Sequence, residues 1–330
     1  MIKKVIAGVL EIAYLETGPS NGAPVVLLHG FPYDVHSYDE VARILASEGK
    51  RCLIPYLRGY GPTRFLSSST MRSGEQAAVG ADLLAFLDAL KIESAVLAGY
   101  DWGGRAACIV AALWPERVDG LVSCGGYSIQ NIAKAREPLS PEAEQLLWYQ
   151  YYLHGERGYK GLSANRKEFC KLLWETWSPT WRFSKEDFAS TALSFSNPDF
   201  VDVVTHSYRH RFGLADGDPA YEQIESRLAA QPEISVPTIV LEGLDDAVDP
   251  PKQNDPFISH FIGLTAGISQ AERGITFRRR LLNNLLTVSW GLARRYRTLL
   301  GLGIAFAVGR QAVFLLLPSE SCLIVLNQKI

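Results

Sequence analysis

The 330-residue chain has no histidine after His260, no aspartate after Asp255 and no CxxC pair. Its five cysteines, Cys52, Cys108, Cys124, Cys170 and Cys322, are scattered and odd in number. That pattern excludes a disulfide framework and a paired-thiolate zinc site, and it implies free thiols in a reducing, cytoplasmic compartment. His154, His206 and His210 lack metal-site spacing and read as surface or packing residues. The formal net charge is only −2, so no positive excess points to nucleic acid. The apolar run Val5 to Leu10 stops at Glu11, too short for a signal-peptide core, and a first β-strand is expected there. No internal repeat is present, and no cofactor, metal or membrane partner is implied.

What is present is a regular alternation of buried-strand patterns and helices. Ala23 to Gly30, Arg51 to Pro55, Ser94 to Gly99 and Asp119 to Cys124 are short apolar runs of the kind found in strands covered on both faces. Val79, Leu83, Leu84 and Leu87 have helical spacing, and a further helix is expected over Gly104 to Leu113, stopped by Pro115. This alternation predicts an α/β fold with a mostly parallel sheet. From Ile129 to Pro232 the pattern becomes helical and rich in Trp, Tyr and Phe, and Ile234 to Leu241 then resumes the strand pattern. The expected organisation is a core of residues 1–128, a helical cap of 129–232, a second core segment of 233–263 and an atypical tail of 264–330. A cap inserted there would lie over the C-terminal edge of the sheet, where α/β folds place their sites.

The chemistry concentrates at Gly99, Tyr100, Asp101, Trp102, Gly103 and Gly104. A strand, a tight glycine-flanked turn and a helix present the middle residue on a strained elbow above the sheet. Amides at the helix N-terminus stabilise negative charge there. By itself Asp101 could be a helix N-cap. The flanking glycines, the buried strand before it and the His29-Gly30-Phe31-Pro32 loop favour a nucleophile. A carboxylate has no proton to lose, and it suits attack on an sp³ carbon bearing a leaving group.

On these motifs, from about Val5 to Gly263, the chain resembles the epoxide hydrolase and haloalkane dehalogenase branch of the α/β-hydrolase superfamily. The resemblance implies an α/β-hydrolase fold and an alkyl ester on Asp101, with the Phe31 and Trp102 amides as oxyanion donors. It implies two cap tyrosines that grip an epoxide oxygen, matched by Tyr152, with Tyr151 as fallback, and by Tyr208. Packing is the alternative role for both. The relay acid matches Asp246, with Asp245 close by. His29 reads as a structural histidine. The Arg58 to Pro62 segment is either an active-face loop or a plain turn. The expected substrate is an epoxide or an alkyl halide, with water as co-substrate. The alternatives are a haloalkane or haloacid dehalogenase using the same nucleophile, and a non-enzymatic family member.

The resemblance also implies a base histidine near Gly274 and Ile275, and none is there. His260 lies too close behind Asp246 to replace it. Over residues 264–330, eight Arg and one Lys face Glu272 and Glu320, a net +7, which leaves −9 for the first 263 residues. Gly274 to Arg279 can be encoded GGC-ATA-ACC-TTC-CGC-AGG. In a shifted frame those bases read His-Asn-Leu-Pro-Gln after Gly, the sequence the resemblance leads one to expect. A change of reading frame near residues 262–268 accounts for the tail. Thr298 to Pro318 imitates a membrane span but contains Arg310.

Overall fold

A computed structural model describes residues 1–243, 246–248, 256–263, 265–271, 274–277, 304–308, 311–316 and 323–327. The strands of the main sheet are β1 (Ile2–Ala7), β2 (Leu10–Thr17), β3 (Pro24–Leu28), β4 (Arg51–Pro55), β5 (Arg64–Phe65), β6 (Ala95–Tyr100), β7 (Val118–Cys124), β8 (Thr238–Gly243), β9 (Thr265–Ala271) and β10 (Gly274–Phe277). Their order is β1-β2-β4-β3-β6-β7-β8-β9-β10, with β5 paired to β2. β4, β3, β6, β7, β8 and β9 run parallel, and antiparallel strands flank them. The middle strand β6 is buried at every position, as its unbroken apolar sequence requires.

Helices α1 (Asp39–Ser47), α2 (Gln76–Ala89) and α3 (Asp101–Leu113) cover this sheet. α3 packs on β6 and β7 and against α2. It begins at Asp101, not at Gly104 as the glycines suggested, because the elbow itself forms the first helical turn. The first apolar run is a hairpin, β1 with β2, in register from Ile2–Leu15 to Ala7–Leu10. The strand expected from Ile234 starts at Thr238, and Ile234 makes only an isolated bridge to Phe261.

Between β7 and β8 the chain inserts α4 (Pro141–Leu146), α5 (Trp148–His154), α6 (Glu156–Ala164), α7 (Arg166–Trp177), α8 (Lys185–Ala192), α9 (Phe200–His210) and α10 (Glu222–Ala229). Directed polar bonds hold this insertion to the core. Asp34 accepts from Thr191 at 3.0 Å and Ser194 at 2.6 Å, Trp174 Nε1 donates to Pro32 O at 2.9 Å, and Arg72 pairs with Asp199 at 2.9 Å. Hydrogen bonds to buried partners fix one arrangement, since each broken bond strands a desolvated group.

The change of composition at Leu264 does not end the sheet. β9 lies directly behind it, parallel to β8 from Thr238–Thr265 to Gly243–Gln270. Beyond β10, β11 (Ile304–Val308), β12 (Gln311–Leu316) and β13 (Leu323–Asn327) form a separate antiparallel sheet. Among the described residues no helix is long and apolar enough to cross a membrane.

Candidate active site

Asp101 sits at φ +50°, in the left-handed region that an aspartate enters only at a conformational cost. The glycines around it are required by close approach. A Cβ on Gly103 would stand 2.1 Å from Leu28 O, and one on Gly30 2.5 Å from Asp101 Cβ. The loop after β3 is thereby pressed onto the elbow, and the Phe31 N–H donates to Asp101 Oδ1 at 2.7 Å.

His29 braces that loop from beneath. It is fully buried, its Nε2 accepts from the Leu57 N–H at 3.1 Å, and its Nδ1 lies 3.2 Å from Gly30 O. Burial pushes the imidazole down to about 4, so it is neutral and structural. Arg58 is structural too. Its guanidinium forks onto Asp82 at 2.6 and 2.7 Å and donates to Ser73 O at 2.8 Å and the Tyr221 hydroxyl at 3.2 Å.

Above the elbow the Phe31 ring stands in an aromatic box of Trp102, Tyr149, Trp177, Phe200 and Tyr208, with centroids 5.6 to 6.5 Å away. Tyr208 is 1% exposed and Tyr149 5%. Their rings cross edge-on at 5.4 Å, and Gln150 Nε2 donates to the Tyr149 hydroxyl at 3.0 Å. Burial raises both phenols, Tyr149 to about 12, and Arg211 opposes the rise in each. Asp101 acts electrostatically on both.

The other tyrosines of α5 are elsewhere. The Tyr152 ring stacks on Phe169, and its hydroxyl lies so close to Gly161 that a Cβ there would clash with it. The structure therefore does not bring Tyr152 to Asp101. Tyr151 is exposed and bonds Glu144. Tyr149 and Leu153, one helical turn apart, form the buried face of α5, and that i, i+4 spacing is the signal that singles out Tyr149.

Asp246 follows β8 in a turn in which its Oδ1 accepts the Val248 N–H at 2.8 Å. Asp101 and Asp246 both act electrostatically on Tyr33, so the two acids flank one region. Asp245 lies outside the described residues. His260 stacks on Tyr127 at 4.3 Å. Because β9 runs parallel to β8, the chain leaves it at the edge from which Asp246 projects.

Glu75, His210 and Glu225 bring possible ligand atoms within 4.8 Å of one another, the one such group among the described residues. Both carboxylates are already engaged. Glu75 accepts from Ser73 Oγ and the Asp218 N–H, and Glu225 from the Ala77 N–H and Gln76. The cluster joins the insertion to the core without needing an ion.

A strained acidic elbow over a parallel sheet, with a helical insertion between β7 and β8, agrees with comparison to known proteins. The sequence pattern of the alpha/beta hydrolase fold matches residues 23–268. The chain belongs to the alpha/beta hydrolase fold family. Within that family it is epoxide hydrolase-like. A candidate epoxide hydrolase from Klebsiella pneumoniae superposes with a TM-score of 0.80 at 47% identity, over 82% of this chain and 89% of that one. Epoxide hydrolase 3 of Siraitia grosvenorii is 38% identical over 135 residues, 41% of this chain and 39% of its own length. A haloalkane dehalogenase of Mycolicibacterium paratuberculosis is 32% identical over 122 residues, 36% of this chain and 38% of its own length. The chain thus aligns with less than half the length of these last two relatives. This alpha/beta hydrolase carries further groups near the elbow that sequence motifs did not single out: Tyr149 and Trp177 against Phe31, Arg211 over the Tyr208 ring, and Arg105 one turn beyond Asp101 on α3.

Proposed function

We propose that this alpha/beta hydrolase opens epoxides by forming an ester on Asp101, beneath a cap made by the helical insertion. The observation that carries the reading is a buried Tyr149–Tyr208 pair whose rings cross at 5.4 Å and both stand against Phe31, the residue whose N–H holds Asp101. One Asp101 oxygen attacks an epoxide carbon as the ring C–O bond breaks, and the ring oxygen takes a proton from the tyrosine pair. The negative charge moves from Asp101 to the phenol, where the Arg211 guanidinium lies 4.5 Å from the Tyr208 ring. An alkoxide is a poor leaving group without such a donor. The Phe31 and Trp102 amides are the donors for the tetrahedral intermediate when water attacks the ester.

That second step needs a base oriented by Asp246, and the sequence offers no histidine after His260. The chain as written is therefore expected to alkylate and stop. Incubation with an epoxide followed by peptide mass spectrometry should show one persistent adduct, on Asp101, absent in Asp101→Asn. Rapid multiple turnover would refute the account of the missing base. We assign the base's absence to a change of reading frame near residues 262–268, and resequencing codons 260–280 tests it. An intact gene together with the tail in the protein's measured mass refutes it.

A second reading, dehalogenation, has one observation in its favour. Trp102 Nε1 is buried next to Asp101 with no hydrogen-bond partner among the described residues, a donor suited to a halide. Alkyl chlorides that alkylate Asp101 as fast as epoxides do, in wild type and in a Tyr149→Phe, Tyr208→Phe double variant alike, would favour it.

A further inference from the structure

Buried arginines are ordinarily held against carboxylates, because a desolvated charge without a counter-charge costs several kcal/mol. Arg58 obeys this rule on Asp82. Two arginines at the site, Arg105 buried and Arg211 half-buried, pair with no carboxylate among the described residues. Arg105, one helical turn beyond Asp101 on α3, is 8% exposed. Its one hydrogen bond among the described residues runs from Nε to Ser128 O at 3.1 Å. Arg211, just past α9, lies over the Tyr208 ring. Its Nη1 reaches Gln150 Oε1 at 3.4 Å, and Nη1 and Nε reach the Gln130 amide oxygen at 3.3 and 3.1 Å in that amide's favoured orientation. Its Nη2 is buried without a partner among the described residues.

Both arginines bond the segment just after β7, Arg105 at Ser128 O and Arg211 at the Gln130 amide. Burial, and then the charge of Arg211, push Arg105 down to about 10. Asp101, Tyr208 and Tyr149 also act on Arg105, and Arg105 and Glu225 act on each other. Glu225 spends its oxygens on Ala77 and Gln76. Asp101 is the anion of the elbow itself, and ester formation neutralises it. The orphaned atoms around the aromatic box add to the imbalance. Trp102 Nε1, Trp177 Nε1 and Arg211 Nη2 can only donate, and the Tyr60 hydroxyl also lacks a partner. An enclosure of unpaired donors and two cations is complementary to an anion rich in acceptors.

We propose that Arg105 and Arg211 bind a carboxylate carried by the substrate, so that the preferred substrates are epoxides with a carboxylate close to the ring. This rests on the Asp101 reading above. Guanidinium groups match carboxylate geometry with two parallel hydrogen bonds, which fixes the orientation of the ring as well as its affinity. The carboxylate takes no part in bond making. It keeps its charge while the Asp101 oxygen–carbon bond forms, the ring C–O bond breaks and the tyrosine proton moves. The arginines therefore keep a counter-charge after Asp101 has lost its own.

The test compares glycidate with its neutral amide, glycidamide, on the full chain, following the Asp101 adduct by mass spectrometry against time. Glycidate should react about tenfold faster or more, the equivalent of one strong ionic contact. Arg105→Met and Arg211→Met should each bring the two rates together, and Arg105→Lys should restore part of the difference. Equal rates in wild type, with the adduct still on Asp101, would overturn the anion site and leave the nucleophile standing. Glycerate binding to Asp101→Asn, measured by calorimetry, needs no chemistry. Its loss in the Asp101→Asn, Arg105→Met protein is expected, and its persistence there would overturn the proposal even if no adduct ever formed. Should an arginine variant fail to fold, the wild-type preference and its weakening by salt decide the matter.

Discussion

Arg58 and Arg105 are both buried arginines in the core segment of one small protein, yet their surroundings are opposite. Arg58 makes a forked ion pair and three further hydrogen bonds, while Arg105 makes one hydrogen bond among the described residues and no ion pair there. The same contrast divides the whole site. Beneath the elbow, His29 is satisfied at both ring nitrogens and Asp34 at both oxygens. Above it, Trp102 Nε1, Trp177 Nε1 and Arg211 Nη2 find no acceptor among the described residues. Since folding penalises every buried unpaired polar group, satisfied ones mark structure and unsatisfied ones mark places where a ligand completes the bonding.

The comparison predicts unlike responses to unlike changes. The largest belongs to the satisfied side. Asp82→Ala leaves Arg58 buried without its partner and should cost about 3 to 5 kcal/mol of stability in chemical denaturation. A loss under 1 kcal/mol would show that Arg58 is not held by that pair.

Acid comes next. The His29 imidazole titrates at about 4 when folded and at about 6.5 when unfolded. As pH falls the unfolded chain therefore takes the proton first. Stability is full above pH 6.5 and drains away towards pH 4, by roughly 3 kcal/mol. His29→Gln should remove that slope, and an unchanged slope would place the acid sensitivity elsewhere.

On the unsatisfied side the effects should fall on chemistry. Tyr149→Phe combined with Tyr208→Phe should slow epoxide adduct formation on Asp101 by about a hundredfold or more, the usual worth of a positioned acid. The melting temperature should stay nearly unchanged. Tyr152→Phe should do neither, because its hydroxyl is against Gly161. Smallest is the stability effect of Arg105→Met, expected within about 1 kcal/mol of wild type and of either sign, since a buried cation with no carboxylate partner contributes little to the fold. A loss like that of Asp82→Ala would erase the distinction between the two arginines.

Much of the fold and part of the site are written locally. The elbow is legible because glycine spacing and a buried strand are neighbours of Asp101 in the chain, and the loop of His29, Gly30 and Phe31 is legible for the same reason. Tyr208 was identified by motif, and the structure places it beside Asp101's field. Tyr149 was not, because three tyrosines share one turn of α5 and only the rotation of that helix against the core selects among them. Arg105 stands at i+4 from Asp101 in an otherwise apolar helix, a signal available in the sequence but silent without knowledge of what faces it. Arg211 carries no such signal, as it reaches the site only because α9 ends there.

The sequence by itself therefore determined the sheet order's raw material, the strained aspartate, the site of the helical insertion and the lack of any histidine beyond His260. These are properties of composition and of short-range periodicity, which the backbone enforces within a few residues. Only the tertiary structure decided which tyrosine of α5 is buried against Phe31 and Tyr208, that Arg58 is spent on Asp82 while Arg105 and Arg211 are not, and that β9 continues the sheet past the change in composition. Those outcomes depend on how elements far apart in the chain pack and pair, and on which buried groups packing leaves without a partner.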